Sequence, residues 1–136
     1  MIKTEKQIER DFFALLKQSK LASEIRGTLY RSEMRPNDAE TEDIVVKFLA
    51  GLDEQVQSGV VIINVYVPDI YYKKDGRKVE DKERIETLEA LILQFVNEND
   101  DVEYWMQTDG SPASMRVENI EQHVIYARIK FNRITE

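Results

Sequence analysis

Few side chains in this sequence have the type and spacing to do chemistry. There is a single histidine, His123, at the head of an alternating apolar run. A lone histidine cannot make a His-pair metal site, and it weakens any His-based mechanism, so we read it as a structural or surface residue. Asp69 and Asp75 flank a loop after a strand, a place where magnesium-dependent nucleases keep acids. With 26 acidic residues in 136, such a pairing arises easily by chance, and we expect no metal there. Trp105, Tyr71, Tyr72 and Tyr104 are the aromatics that could stack bases in a single-strand binder; on strands such residues more often serve a core or an interface. None of the five glycines falls in a GxGxxG or GxxxxGKS/T loop, and there is no GxSxG elbow. We therefore expect no catalytic residue, no cofactor and no metal ligand. The enzymatic alternative is a metal-dependent nuclease using Asp69 and Asp75.

Composition narrows the classes further. The chain is one domain by size, residues 1–136, and long enough for a sizeable core. An apolar share of 42% is that of a folded globular chain. The absence of cysteine excludes disulfides, thiol chemistry and thiolate metal sites. No apolar run approaches the roughly 18 residues of a membrane span. The first residues, MIKTEKQIERDFF, are charged throughout with no apolar signal core, from which we expect no secretion by the usual route. The net charge of −7 argues against a general DNA-binding surface, which needs clustered Lys and Arg. Basic residues do gather at Lys73, Lys74, Arg77 and Lys78, and at Arg128, Lys130 and Arg133; we read both groups as solvated charge. Tyr71-Tyr72 beside Lys73-Lys74 also has the composition of an interface tip.

The elements that would position these residues can be read from periodicity. Ile8, Phe12, Leu15 and Leu16 make one stripe of a helix over Thr4–Ser19, with Thr4 and Gln7 at capping-box spacing. Leu21 to Ile25 extends that helix or forms a turn, and Leu29-Tyr30 reads as a short strand. Pro36-Asn37-Asp38 marks a long loop. IVVKFLAG, Ile44 to Gly51, is a strand, and the polar link LDEQVQS makes the next strand its antiparallel neighbour. That next strand is GVVIINVYVPDI, Gly59 to Ile70. The loop YYKKDGRKVED follows, with a turn at Asp75-Gly76, and Asp81 then caps a helix over Lys82–Val96. Val102 to Thr108 is a strand with Val102, Tyr104 and Met106 on one face. DGSPASMRVEN reads as a turn-rich link, and Gln122 to Ile134 alternates, with Ile125, Ala127, Ile129 and Phe131 inward. The order α-β-β-α-β-β predicts an α+β fold: a mostly antiparallel sheet with two helices packed on one face.

GVVIINVYVPDI is apolar on both sides. Val61, Ile63, Val65 and Val67 can lie under the helices. Val60, Ile62, Asn64 and Tyr66 then lack an evident cover within the chain, apart from what the long loops supply. A strand with one wet face would alternate more cleanly, and an exposed patch of this size marks a contact with another protein. The expected interface residues are Val60, Ile62 and Tyr66 on that face, Tyr71 and Tyr72 at the loop tip, and Arg35 in the long loop.

The whole pattern is similar to the small neck and tail-completion proteins of long-tailed phages and prophages, most like the tail terminators of lambda-like phages. It is carried by IERDFFALLKQ, TLYR and an irregular loop, then VVKFL, GVVIINVYVPD, RIETLEALILQFV and a final strand pair ending VIYARIKFNRI. The resemblance covers nearly the whole chain, but in pattern, with no invariant motif. The loops Arg31–Asp43 and YYKKDGRKVED are long for a minimal member. It implies a non-enzymatic ring subunit, usually one of six, that caps the tail tube and docks the head or its connector. DNA would pass through the lumen without specific binding, and an acidic wall suits that passage. The chain would reside in the bacterial cytoplasm during assembly and then in the virion, with no membrane partner. The alternative is a non-phage α+β binding module that self-associates through the exposed sheet face.

Overall fold

The computed structural model describes residues 1–52, 56–74 and 76–134, without the side chain of Ile134. The chain is mixed α+β with a mainly antiparallel sheet. In chain order its elements are α1 (Glu5–Lys17), α2 (Lys20–Glu24), β1 (Leu29–Arg31), β2 (Asp43–Leu52), β3 (Val56–Pro68), β4 (Ile70–Tyr71), β5 (Lys78–Val79), α3 (Lys82–Asn97), β6 (Tyr104–Thr108), β7 (Ala113–Arg116) and β8 (Gln122–Ile134). This order is richer than α-β-β-α-β-β. Ser19 caps a separate short helix, α2, instead of letting α1 run on. The stretch expected to be a plain loop after β3 contains the β4–β5 pair, and DGSPASMRVEN contains β7. Val102 lies outside β6 and is fully exposed.

Local chemistry sets the helix ends. The Thr4 hydroxyl accepts the Gln7 N–H at 3.2 Å, and the Gln7 side chain accepts the Thr4 N–H at 2.8 Å, a reciprocal cap. Asp81 accepts the Arg84 N–H at 3.2 Å and starts α3.

The main sheet runs β1-β2-β3-β8-β6, with β1 parallel to β2 and the other neighbours antiparallel. β3 and β8 pair along their whole length, from Val56↔Ile134 to Pro68↔Gln122. The far edge of β8 takes β6 and then β7 in succession. Val61, Ile63, Val65 and Val67 are at most 1% exposed and share one core with Ile8, Phe12 and Leu16 of α1 and Ile85, Leu88 and Ile92 of α3. Burying each such side chain contributes roughly 1.5–3 kcal/mol. Phe12, Phe48, Tyr104 and Phe131 add a chain of ring contacts with centroids 5.1–6.2 Å apart. Gly59 is required where β2, β3 and β8 meet. A Cβ there would lie 2.5 Å from the Ala50 carbonyl and 2.9 Å from the Phe131 ring.

Candidate interaction surface

The core takes no residue from the opposite side of the sheet. Strand register assigns that side in rows. Leu52, Ser58, Asn132 and Trp105 form one row; Ala50, Val60, Lys130 and Gln107 form the next on the same face. Leu52 is 64% and Trp105 55% exposed, with Val60 half-buried between them. A shallow concavity of about 400 Å³ opens among Leu52, Val60, Trp105 and the Lys130 stem. A β-bulge between Phe48 and Ala50 leaves Leu49 unpaired and exposed nearby. A large apolar residue on a free sheet face is common singly, but Leu52 and Trp105 facing each other across a concavity form a patch.

The expected interface residues separate into two groups. Val60 lies in this patch. Ile62 is on the same face but only 5% exposed, flanked in register by the long side chains of Lys47 and Arg128. Tyr66 is half-buried under the Arg35 guanidinium, which stacks 4.0 Å from its ring centroid. Arg35 is itself committed inside the chain: its Nε donates to Asp43 Oδ2 at 2.9 Å, and its Nη2 donates to the Ala39 and Thr41 carbonyls and to Gln122 Oε1. The long loop after β1 therefore supplies the cover that Tyr66 lacks in the sequence. Among the described residues the buried Gln122 Nε2 has no hydrogen-bond partner.

Asp43 is fully buried, and Gly27 makes room for it, since a Cβ there would lie against its carboxylate. Burial pushes its carboxyl up. Hydrogen bonds from the Thr41 hydroxyl, the Thr28 N–H and Arg35, with the Arg35 charge, outweigh that and hold it below the usual carboxylate range. A second internal pair ties α3 to the residue just before β2: Arg84 donates to both Glu42 oxygens at 2.9 and 2.7 Å. Arg133, expected in solvent, is buried and donates to Glu103 and the Met1 carbonyl. Strand alternation places it on the core side with Phe131.

The residues that could do chemistry are placed as follows. The Asp69 side chain is 1% exposed and lies 2.7 Å from His123 Nδ1, joining the end of β3 to β8. Asp75 lies outside the described residues. Ser114 donates to Glu80 at 2.5 Å, and this bond, with Lys82 and His123 nearby, holds the Glu80 carboxyl below its usual range against the effect of burial. Among the described residues no group of three or more His, Asp or Glu side chains is arranged to hold a metal ion. Tyr104 faces the core, where its hydroxyl donates to Asp11 at 2.6 Å; it is not free to stack on a base. No protein-family model and no curated protein matches this chain. Among the described residues no helix is long and apolar enough to cross a membrane.

Tyr71 and Tyr72 lie on the β4–β5 hairpin, 67% and 40% exposed, with Ile70 beside them at 46%. The hairpin is closed by the Tyr72 N–H donating to the Arg77 carbonyl at 2.7 Å. Lys73 and Arg77 stand 5.1 and 4.9 Å from the Tyr72 ring centroid, and Lys78 5.0 Å from that of Tyr71. The tip therefore combines exposed aromatic surface with cations. Trp105, 55% exposed, is the residue of this face that was not among the expected interface residues. Its signal was available, since Tyr104 and Met106 inward place Trp105 outward.

Proposed function

We propose that this chain is a structural ring subunit of a phage or prophage tail neck, resembling a tail terminator. In that role it caps the tail tube and docks the head or its connector. The observation that carries the reading is the sheet face bearing Leu52, Val60 and Trp105, which no helix among the described residues covers. With α1 and α3 on the other face of the sheet, a neighbouring copy is the natural cover. A cyclic assembly of this kind needs two different matching surfaces on each subunit. The acidic balance of the chain supports a wall past which DNA slides without sticking. On this reading the protein has no catalytic role and no cofactor, and it resides in the host cytoplasm until it joins the virion.

The same face would also serve an isologous dimer of a non-phage binding module. Native mass spectrometry over a range of protein concentrations, with negative-stain images, separates the two. A closed ring supports the neck subunit, and a dimer that never grows refutes it. Neighbouring genes for tail-tube, tape-measure or portal proteins support the first reading, and metabolic neighbours refute it.

A further inference from the structure

We infer that the β4–β5 hairpin is an arm that docks into a groove of a second copy of this chain, between the C-terminal ends of α1 and α3. The inference rests on the ring-subunit reading and adds to it a specific contact. Residues 70–79 hold four cations and one acid, while the whole chain has a net charge of −7, so the rest of the molecule is more acidic still. Lys73 and Lys74 make no ion pair among the described residues, and Lys78 is held by Glu121 at 2.8 Å. Beside these cations stand the exposed rings of Tyr71 and Tyr72. The arm thus needs a slot with both apolar surface and acidic groups.

The molecule carries such a slot. A groove of about 270 Å³ has a mixed lining: Leu15, Leu21, Leu91 and Phe95 give it apolar surface, and Gln18, Ser19, Gln94 and Asn99 stand among them with Glu98 and Asp100. Lys20 also lines it. Glu98 accepts a bond from Gln94 at 3.0 Å, and neither Glu98 nor Asp100 meets a cation among the described residues. An aromatic anchor against the leucines and Phe95, with opposite charges beside it, is a pattern that gives contacts both affinity and register.

The occupant must come from another copy. The hairpin leads into α3 at its N-terminus, and the groove lies at the C-terminus of the same 16-residue helix. The groove's residues on and just past this helix run from Leu91 to Glu98, which at 1.5 Å per residue puts them about 14–24 Å along the axis from the base of the arm. The four or so residues from Ile70 to the tip extend only about 13 Å at 3.3 Å each. Arm and slot at opposite ends of one subunit make a head-to-tail contact, which closes into a ring when the rotation permits.

The test compares the parent chain with an arm variant (Tyr71→Ala with Lys73→Glu and Lys74→Glu) and a groove variant (Glu98→Lys with Asp100→Lys). Association is read by sedimentation velocity, and folding is checked by circular dichroism. Each variant is expected to stay folded and to weaken association by about tenfold or more, and added salt should weaken the parent likewise. Mixing the two variants, whose charges are again complementary, should restore mixed oligomers. Because the chain has no cysteine, Tyr71→Cys mixed with Gln94→Cys should give the mixed disulfide in excess over the two symmetric ones. A parent that assembles while both variants assemble equally well overturns the arm and leaves the ring reading standing. A parent that is monomeric at every concentration removes the ring reading and the arm with it. An arm variant that assembles normally but loses binding to a DNA oligonucleotide overturns the inference in favour of a nucleic-acid contact.

Discussion

Replacing Arg35 with alanine isolates a fully buried carboxylate. Asp43 would keep its bonds from Thr41 and Thr28 but lose the guanidinium at 2.9 Å. The Ala39 and Thr41 carbonyls and Gln122 Oε1 would lose a donor, and Tyr66 would lose its cover. Breaking a buried pair from one side costs about 3–5 kcal/mol, because the remaining charge is left without its partner. Urea unfolding followed by Trp105 fluorescence should show that loss. At roughly 3–5 °C per kcal/mol for a chain of this size, Tm should fall by roughly 9–25 °C. Arg35→Ala combined with Asp43→Asn should cost less than the two single changes together, since the stranded charge is gone. The pH dependence has a definite sign. The Asp43 carboxyl is held below its ordinary value of 3.8 in the folded state. Its contribution is therefore complete above that value and is lost as pH falls through the lower folded value. The gap in stability between parent and Arg35→Ala should narrow in that acid window. A cost under about 1 kcal/mol at neutral pH, or a gap that does not change on acidification, would refute the reasoning.

Gly59→Ala should destabilise by about 2 kcal/mol or more, because the new methyl meets the Ala50 carbonyl and the Phe131 ring and must push β2 from β3; chemical denaturation measures it, and a neutral substitution contradicts the packing. Tyr104→Phe should cost about 1–2 kcal/mol by removing the 2.6 Å bond to Asp11. Burial, then the bond to Asp11 and the charges of Asp11 and Glu103, push the Tyr104 phenol far above its usual value. The unfolded phenol ionises near pH 10 while the folded one keeps its proton, so this group's contribution falls as pH rises past about 10. The decline in stability with alkaline pH should be shallower for Tyr104→Phe than for the parent.

The long elements were legible because each repeats one period and carries its own cap. Thr4 with Gln7 fixes the start of α1, Asp81 that of α3, and the alternation Ile125, Ala127, Ile129, Phe131 marks β8. The short strands were not legible. β4 and β5 have two residues each and β7 four, too few for a period, and they exist because a partner strand offers ladder bonds. The apolar second face of β3 was visible, but its partial cover was not. Arg35 reaches Gln122 across 87 positions and Arg84 reaches Glu42 across 42, and nothing local in the sequence signals such pairs. Arg133 shows the opposite case: strand alternation put it inside, while its charge suggested solvent.

The most direct test of the central claim is the mass of the assembled protein, measured by native mass spectrometry across a concentration series for the parent and for Trp105→Glu. A charge placed at the Trp105 side of the Leu52–Val60–Trp105 patch should leave the fold intact, since Trp105 is 55% exposed, and should disrupt any contact made there. The account predicts a closed oligomer for the parent and a monomer for the variant at the same concentration. The same mass for both, whether monomer or ring, would contradict the assignment of this sheet face to subunit contact.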